Sequence, residues 1–196
     1  MKLYSVDLNN VSESELSQWF DAMSESRKEE VTRLKNNTKR KSKIAADRLS
    51  RAAISEFCGI SPAEIRFSKN EFGKPFAVGL DVFFSISHSG DLVYCAVSDR
   101  EIGIDIEKKR EIRLDAAKRF ACESELEYIG SSTERFFEIW TLKEAYFKCI
   151  GTGLGADIKS VSFKKTDSGY ECSENGFLLA KLVLPDGYTG FVCEKI

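Results

Sequence analysis

Two acidic residues in one short segment have a spacing that could hold a cation. The segment IGIDIE, residues 102–107, alternates like a β-strand, in which every second side chain lies on the same face. Asp105 and Glu107 therefore share one face, and the three isoleucines share the other. Neighbouring carboxylates repel each other, and either solvent or a bound cation relieves that repulsion. Because strands with a polar outer face are common, the segment alone favours solvent.

A third carboxylate, Glu144, lies in FFEIWTLKEAYFKCI, which is apolar nearly all round and predicts a buried helix over residues 134–150. At 3.6 residues per turn, Glu144 shares a side of this helix with Trp140, Phe147 and Lys148. An unpaired carboxylate among aromatic rings is costly, so it is neutralised or finds a partner. The alternative is an i,i+4 ion pair with Lys148, which contributes roughly 0.2–0.5 kcal/mol on an exposed helix.

Asp105, Glu107 and Glu144 together form an all-oxygen ligand set that suits Mg²⁺ or Mn²⁺ better than zinc. Mg²⁺ commonly shares its coordination with water and substrate phosphates, so basic residues become candidate phosphate contacts. These candidates are Lys43, Lys74, His88 and Lys148. For His88 alone the plainer interpretation is a hydrogen-bonded turn histidine, and for the basic run at 33–43 it is a solvated helix face.

Length and composition limit the classes of protein that the chain can belong to. It has 196 residues, a net charge of −2 and a pI of about 5.7, which suit one large or two small globular domains and oppose nonspecific nucleic-acid binding. No apolar run is long enough to cross a membrane, and the first residues do not resemble a signal peptide. The six cysteines lack a Cys-x-x-Cys pair, which indicates reduced thiols in a cytoplasmic protein.

A weak internal repeat indicates how these residues are positioned. IRFSKNEFGKP at 65–75 is similar to VSFKKTDSGYE at 161–171, and GDLVYCAV is similar to the later GYTGFVCEK. A helix is predicted before each of the two stretches. The order predicts two similar halves, an N-terminal half at 1–101 and a C-terminal half at 102–196. A site between such halves is expected, and IGIDIE lies at their boundary.

Five ordered segments, FGKP, FSISHSG, IGIDIE, AKRF and WTLKEAYFK, resemble the Sfp-type 4'-phosphopantetheinyl transferases over nearly the whole chain. The resemblance implies an α+β fold of two similar α+β halves related by a pseudo-twofold axis, with the active site in the cleft between them. It also implies an enzyme that transfers the 4'-phosphopantetheine arm of coenzyme A to a serine of an apo acyl or peptidyl carrier protein. The reaction would depend on Mg²⁺ and release 3',5'-ADP.

The resemblance further implies roles for individual residues. The metal ligands would be Asp105, Glu107 and Glu144. The catalytic residues would be Glu144, Lys148 and His88. The contacts to coenzyme A would be Lys43, Lys74, Ser87, His88 and Lys148. Which basic residue binds the 3'-phosphate of coenzyme A stays open among Arg40, Lys41 and Lys43.

Two other classes of function fit the same residues. One is a Mg²⁺-dependent hydrolase or transferase that acts on another nucleotide diphosphate. The other is a non-catalytic module that binds coenzyme A or a carrier protein, which would not require all three carboxylates. In each case we expect no nucleic-acid partner, no membrane and, because the two halves are fused, a monomer.

Overall fold

Secondary structure is distributed in the same order along both halves of the chain. The computed structural model describes residues 1–155 and 157–196. The first half contains β1 (Lys2–Asp7), α1 (Glu13–Asp21), α2 (Glu25–Thr32), α3 (Asn37–Cys58), β2 (Phe67–Lys69), β3 (Pro75–Ala77), β4 (Phe83–Ser89) and β5 (Leu92–Ser98). The second half contains β6 (Ile102–Lys108), α4 (Glu123–Ile129), α5 (Thr133–Ile150), β7 (Phe163–Thr166), β8 (Gly169–Cys172), β9 (Phe177–Lys181) and β10 (Tyr188–Lys195). Short 3-10 helices lie at Leu8–Asn10, Pro62–Glu64, Leu114–Arg119 and Gly153–Gly155.

Each half builds one three-stranded antiparallel sheet and one β-hairpin. The sheets have the strand orders β1-β5-β4 and β6-β10-β9, and the hairpins are β2–β3 and β7–β8. In both halves a strand comes first, followed by a long helix, the hairpin and two more strands, of which the last is central in its sheet. The predicted α+β class with two similar halves is therefore confirmed. Cys95 and Cys193 lie on the two central strands, and all six cysteines are free thiols.

Local capping signals explain where several helices begin and end. Ser12 and Glu15 form a capping box at the start of α1. The long helix α3 ends at Gly59, whose φ of 70° is the left-handed conformation that glycine adopts without steric cost. Helix α2 begins at Glu25, and Ser24 is its N-cap residue.

Strand β6 is covered on both faces. Ile102 and Ile104 are fully buried and pack with Ala96 of β5 in the first half. On the other face α5 approaches so closely that a Cβ on Gly103 would lie 1.9 Å from the carbonyl oxygen of Ala145. The face that carries the acidic residues is therefore covered by α5, and the interpretation that it is simply solvated is wrong.

The helices of the described ranges include no segment with the length and apolar character needed to cross a lipid bilayer.

Candidate active site

Strand β4, strand β6 and helix α5 enclose a cavity of about 200 Å³ where the two halves meet. Strand β4 belongs to the first half, while β6 and α5 belong to the second, so both halves contribute side chains. The cavity brings together six of the residues that the sequence predicts for the site: Ser87, His88, Asp105, Glu107, Glu144 and Lys148. Trp140 adds an aromatic wall from α5.

Asp105 is the most buried carboxylate of the cavity, with 5% of its surface exposed. Its Oδ1 accepts hydrogen bonds from Ser87 Oγ at 2.8 Å and from Lys148 Nζ at 2.6 Å. Its Oδ2 is buried and has no hydrogen-bond partner among the residues that the structure describes. Burial raises the pKa of Asp105, and the Lys148 ammonium opposes that rise. The alternative i,i+4 pair on α5 is wrong, because the partner of Lys148 is Asp105.

Glu107 is held by two residues that sequence reasoning missed. Its Oε2 accepts Ser89 Oγ at 2.7 Å and Arg110 Nη1 at 3.3 Å. The signal for Ser89 was available, because SISHS places serines at alternate positions and hence on one face of a strand. Both contacts fall on the same oxygen, so Oε1 is the atom that Glu107 can offer to a ligand.

Glu144 lies on α5, among the residues that line the cavity opposite the β6 carboxylates. Burial raises its pKa to about 7, an effect that Lys148 opposes and that the negative charges of Asp105 and Glu107 add to. A carboxylic acid with such a pKa exchanges its proton near neutral pH. Glu144 can therefore act as a general base or acid.

His88 lies within β4 and not in the turn that follows it, so the alternative of a turn histidine is wrong. Desolvation, together with the positive charges of Lys43 and Lys148, lowers its pKa, which keeps the imidazole neutral at neutral pH. Lys43 lies on α3 and does not line the cavity. Its own pKa is lowered by desolvation and by Arg27, so a basic group of residues lies beside the histidine.

Lys74 lies apart from the cavity and has a different set of partners. Its Nζ donates hydrogen bonds to the carbonyl oxygens of Cys149 at 2.8 Å and Ile102 at 3.3 Å. It lines a second cavity of about 330 Å³ with the hairpin residues Pro75 and Phe76. In this structure Lys74 ties the end of α5 to the start of β6.

The donor set fits a hard divalent cation, although it does not form a closed metal site. Within residues 1–155 and 157–196, no three histidine, cysteine, aspartate or glutamate side chains are arranged to hold a metal ion. Mg²⁺, however, usually takes one or two carboxylates and keeps several waters. Among the described residues, Asp105 Oδ2 is a buried oxygen without a partner, Glu107 is the next side chain on the same face, and Glu144 lines the same cavity.

The fold and the cavity define an α+β protein of two similar halves with an acid and base site at their junction. Two family descriptions match this chain: "4'-phosphopantetheinyl transferase, N-terminal" over residues 10–100 and "4'-phosphopantetheinyl transferase superfamily" over residues 101–183.

Curated relatives extend the match along the chain. A "4'-phosphopantetheinyl transferase" of Bacillus subtilis is 33% identical and covers 96% of this chain and 83% of its own. The "4'-phosphopantetheinyl transferase Sfp" of Bacillus subtilis strain 168 is 33% identical, with 86% and 79% covered. A Thermotoga maritima holo-[acyl-carrier-protein] synthase structure is 23% identical and covers 48% of this chain and 62% of its own at a TM-score of 0.41, which adds nothing to the fold described above. The chain belongs to the 4'-phosphopantetheinyl transferase superfamily, and the predicted enzyme class is confirmed.

Proposed function

We propose that this chain transfers the 4'-phosphopantetheine arm of coenzyme A to a serine of an apo acyl or peptidyl carrier protein and releases 3',5'-ADP. The observation that carries the proposal is the cavity at the junction of the halves. In it, carboxylates from β6 and an ammonium and a carboxyl group from α5 lie together. Membership of the superfamily supports the same reaction.

The acceptor serine must lose its proton as its oxygen attacks the phosphorus on the pantetheine side. Glu144 is the best candidate for the base, because its pKa of about 7 lets it accept a proton at neutral pH. The bond between that phosphorus and the bridging oxygen breaks, and 3',5'-ADP leaves with the negative charge. Such transfers depend mainly on positioning and charge stabilisation.

Basic residues around the cavity would bind the diphosphate and the nucleotide. Lys148 is the cavity's ammonium group, and in this structure it neutralises Asp105. His88 is close enough to Lys43 and Lys148 for their charges to lower its pKa, so the three can share one phosphate-rich ligand. A bound phosphate would bring negative charge beside Lys43 and Lys148 and would favour the protonated form of His88.

Asp105 and Glu107 are the residues that would hold Mg²⁺ or Mn²⁺, with Glu144 as the third ligand of the prediction. When bound, the ion would neutralise charge on the diphosphate. Asp105 Oδ2, which has no partner within the part of the chain that the structure describes, supports this assignment, since a buried acceptor without a donor is costly unless a ligand supplies the contact. We also propose that the protein is a cytoplasmic monomer whose two halves are residues 1–101 and 102–196.

The test is to incubate the protein with coenzyme A, Mg²⁺ and apo carrier protein, and to follow the carrier's mass for the gain of one phosphopantetheine arm. We expect Asp105→Asn and Glu144→Gln to lower the rate at least 100-fold. Glu134→Gln is the matched control, because Glu134 lies on the same helix but is exposed and pairs with Lys109. Release of nucleotide without any acceptor would favour the hydrolase instead, and absence of both products would favour the binding module.

A further inference from the structure

The first and second sheets meet through side-chain hydroxyls. Strand β4 is the edge of the first sheet and β6 is the edge of the second. Three alternate serines of β4 each accept a backbone N–H from β6. The pairs are Ser85 with Ile104 at 3.1 Å, Ser87 with Ile106 at 3.1 Å and Ser89 with Lys108 at 3.0 Å. We call these three serines the hydroxyl seam.

The hydroxyl seam solves a problem that any sheet edge has. Backbone N–H groups at a sheet edge are costly when they are buried without an acceptor. Direct backbone pairing of β4 with β6 would supply acceptors, but it would leave no side chains between the two strands. The serine hydroxyl takes the place of the backbone acceptor. A hydroxyl also keeps one hydrogen of its own to donate.

Two members of the seam donate that hydrogen to the candidate metal ligands. Ser87 donates to Asp105 Oδ1 at 2.8 Å, and Ser89 donates to Glu107 Oε2 at 2.7 Å. Ser85 bonds the N–H of Ile104 in the same way but, among the residues that the structure describes, makes no bond to a carboxylate. The three serines therefore share one backbone role, and two of them have a second role towards the cavity.

We propose that Ser89 is a positioning residue, which holds the Glu107 carboxylate so that its other oxygen faces the cavity and can bind a divalent cation. The inference rests on the proposed function in so far as Glu107 takes part in cation binding. The Ser89 hydroxyl accepts a hydrogen bond from the Lys108 backbone N–H and donates its own hydrogen to Glu107, and both partners lie on β6. These two bonds fix the direction in which the hydroxyl hydrogen points. Glu107 thereby loses the freedom to turn its carboxylate away from Asp105.

Residues behind a metal ligand that fix its orientation commonly change metal affinity 10- to 100-fold when removed. The first test is titration of the protein with Mn²⁺ alone, without coenzyme A or carrier, following free Mn²⁺ by electron paramagnetic resonance. We expect Ser89→Ala to raise the Kd for Mn²⁺ about 10-fold or more, and Ser89→Thr, which keeps the hydroxyl, to stay within about threefold of wild type. Ser85→Ala is the matched control, because it removes a seam hydroxyl that contacts no carboxylate, and its Kd should not change.

A second test examines the same contact without any metal. In the presence of EDTA, urea unfolding of Ser89→Ala, Glu107→Gln and the double variant gives the coupling between the two side chains. We expect a coupling of about 10-fold in the unfolding constant, which is about 1.4 kcal/mol, and none for the corresponding Ser85→Ala and Glu107→Gln cycle.

The two tests separate this inference from the proposed function. An unchanged Mn²⁺ Kd in Ser89→Ala, or an equal increase in Ser85→Ala, overturns the positioning role. If wild-type protein binds no Mn²⁺, the metal part of the proposed function fails. The unfolding measurements in EDTA then decide whether Ser89 holds the Glu107 carboxylate. Coupling specific to Ser89 then supports the contact, and absence of coupling overturns it.

Discussion

Gly103→Ala tests whether the close contact between α5 and β6 builds the candidate site. The added Cβ would lie 1.9 Å from the carbonyl oxygen of Ala145 and 2.3 Å from the backbone nitrogen of Cys149. Carbon and oxygen atoms that touch without bonding are about 3.3 Å apart at closest, so the helix and the strand must separate by about 1.4 Å. No side-chain rotation can relieve the contact, because both obstructing atoms belong to the backbone.

That separation has two consequences of predictable size. Overpacking a buried contact costs roughly 1–3 kcal/mol, and each kcal/mol lowers Tm by about 2–4 °C in a chain of this length. The same shift would stretch the 2.6 Å contact between Lys148 and Asp105 to about 4 Å, beyond hydrogen-bond range. A misplacement of about 1 Å can cost about 100-fold in rate, so transfer should fall between about 10- and 100-fold.

The assay combines thermal unfolding with the rate of transfer to apo carrier protein. Gly79→Ala is the control, since Gly79 has a φ of +75° and nothing within 4 Å of an added Cβ. It should lose stability of the order of 1 kcal/mol through backbone strain but keep its transfer rate. A Gly103→Ala protein with wild-type Tm and wild-type rate would refute the reasoning.

Three further outcomes follow from buried charged groups. With EDTA present, wild-type protein should lose up to about 3 kcal/mol of stability from pH 5 to pH 8 relative to Glu144→Gln. The reason is that burial holds the folded pKa of Glu144 at about 7, above its ordinary value of 4.5, and the stability that protonation gives is lost as pH rises through 7. A pH-independent difference in urea unfolding would contradict this. Lys143→Met should cost about 3–5 kcal/mol in urea unfolding, because it leaves Glu125 without the 2.9 Å partner in a fully buried pair, and adding Glu125→Gln should recover part of that loss. Lys74→Met should lower Tm while hardly changing the KM for coenzyme A, because it removes the donor of two backbone carbonyls. A tenfold rise in KM at unchanged Tm would instead favour the predicted nucleotide contact.

The part of the site that the sequence predicts well depends on local geometry. Alternation on a strand places Asp105 and Glu107 on one face, and helical spacing places Glu144 and Lys148 one turn apart. Both rules hold wherever the strand and the helix form, so the grouping needs only that β6 and α5 meet. Gly103 permits that meeting, and its position in IGIDIE, on the acidic face, is readable once the helix is known to cross there.

The partner of each charged group was not predictable in the same way. Lys148 has an acidic neighbour one turn away on its own helix, yet it pairs with Asp105, which is 43 residues away. Lys74 was predicted to contact a nucleotide, which stays a prediction, and in this structure its ammonium group donates to two backbone carbonyls. The partners of both lysines depend on how the elements pack in three dimensions, and no local sequence pattern predicts that packing.

In each of the two β6 carboxylates, the hydrogen bonds from described residues fall on one oxygen and not on the other. This distribution indicates whether the carboxylates serve stability or ligand binding. Desolvating a carboxylate costs several kcal/mol unless donors compensate it. Two donors reach one oxygen of Asp105 and two reach one oxygen of Glu107, while the remaining oxygen of Asp105 is buried without a partner among the described residues. A carboxylate retained only for stability would have both oxygens satisfied, because an unsatisfied buried acceptor costs about 1–3 kcal/mol. The unequal distribution instead fits a ligand site, in which one oxygen of each group is fixed by the protein and the other is kept for what binds.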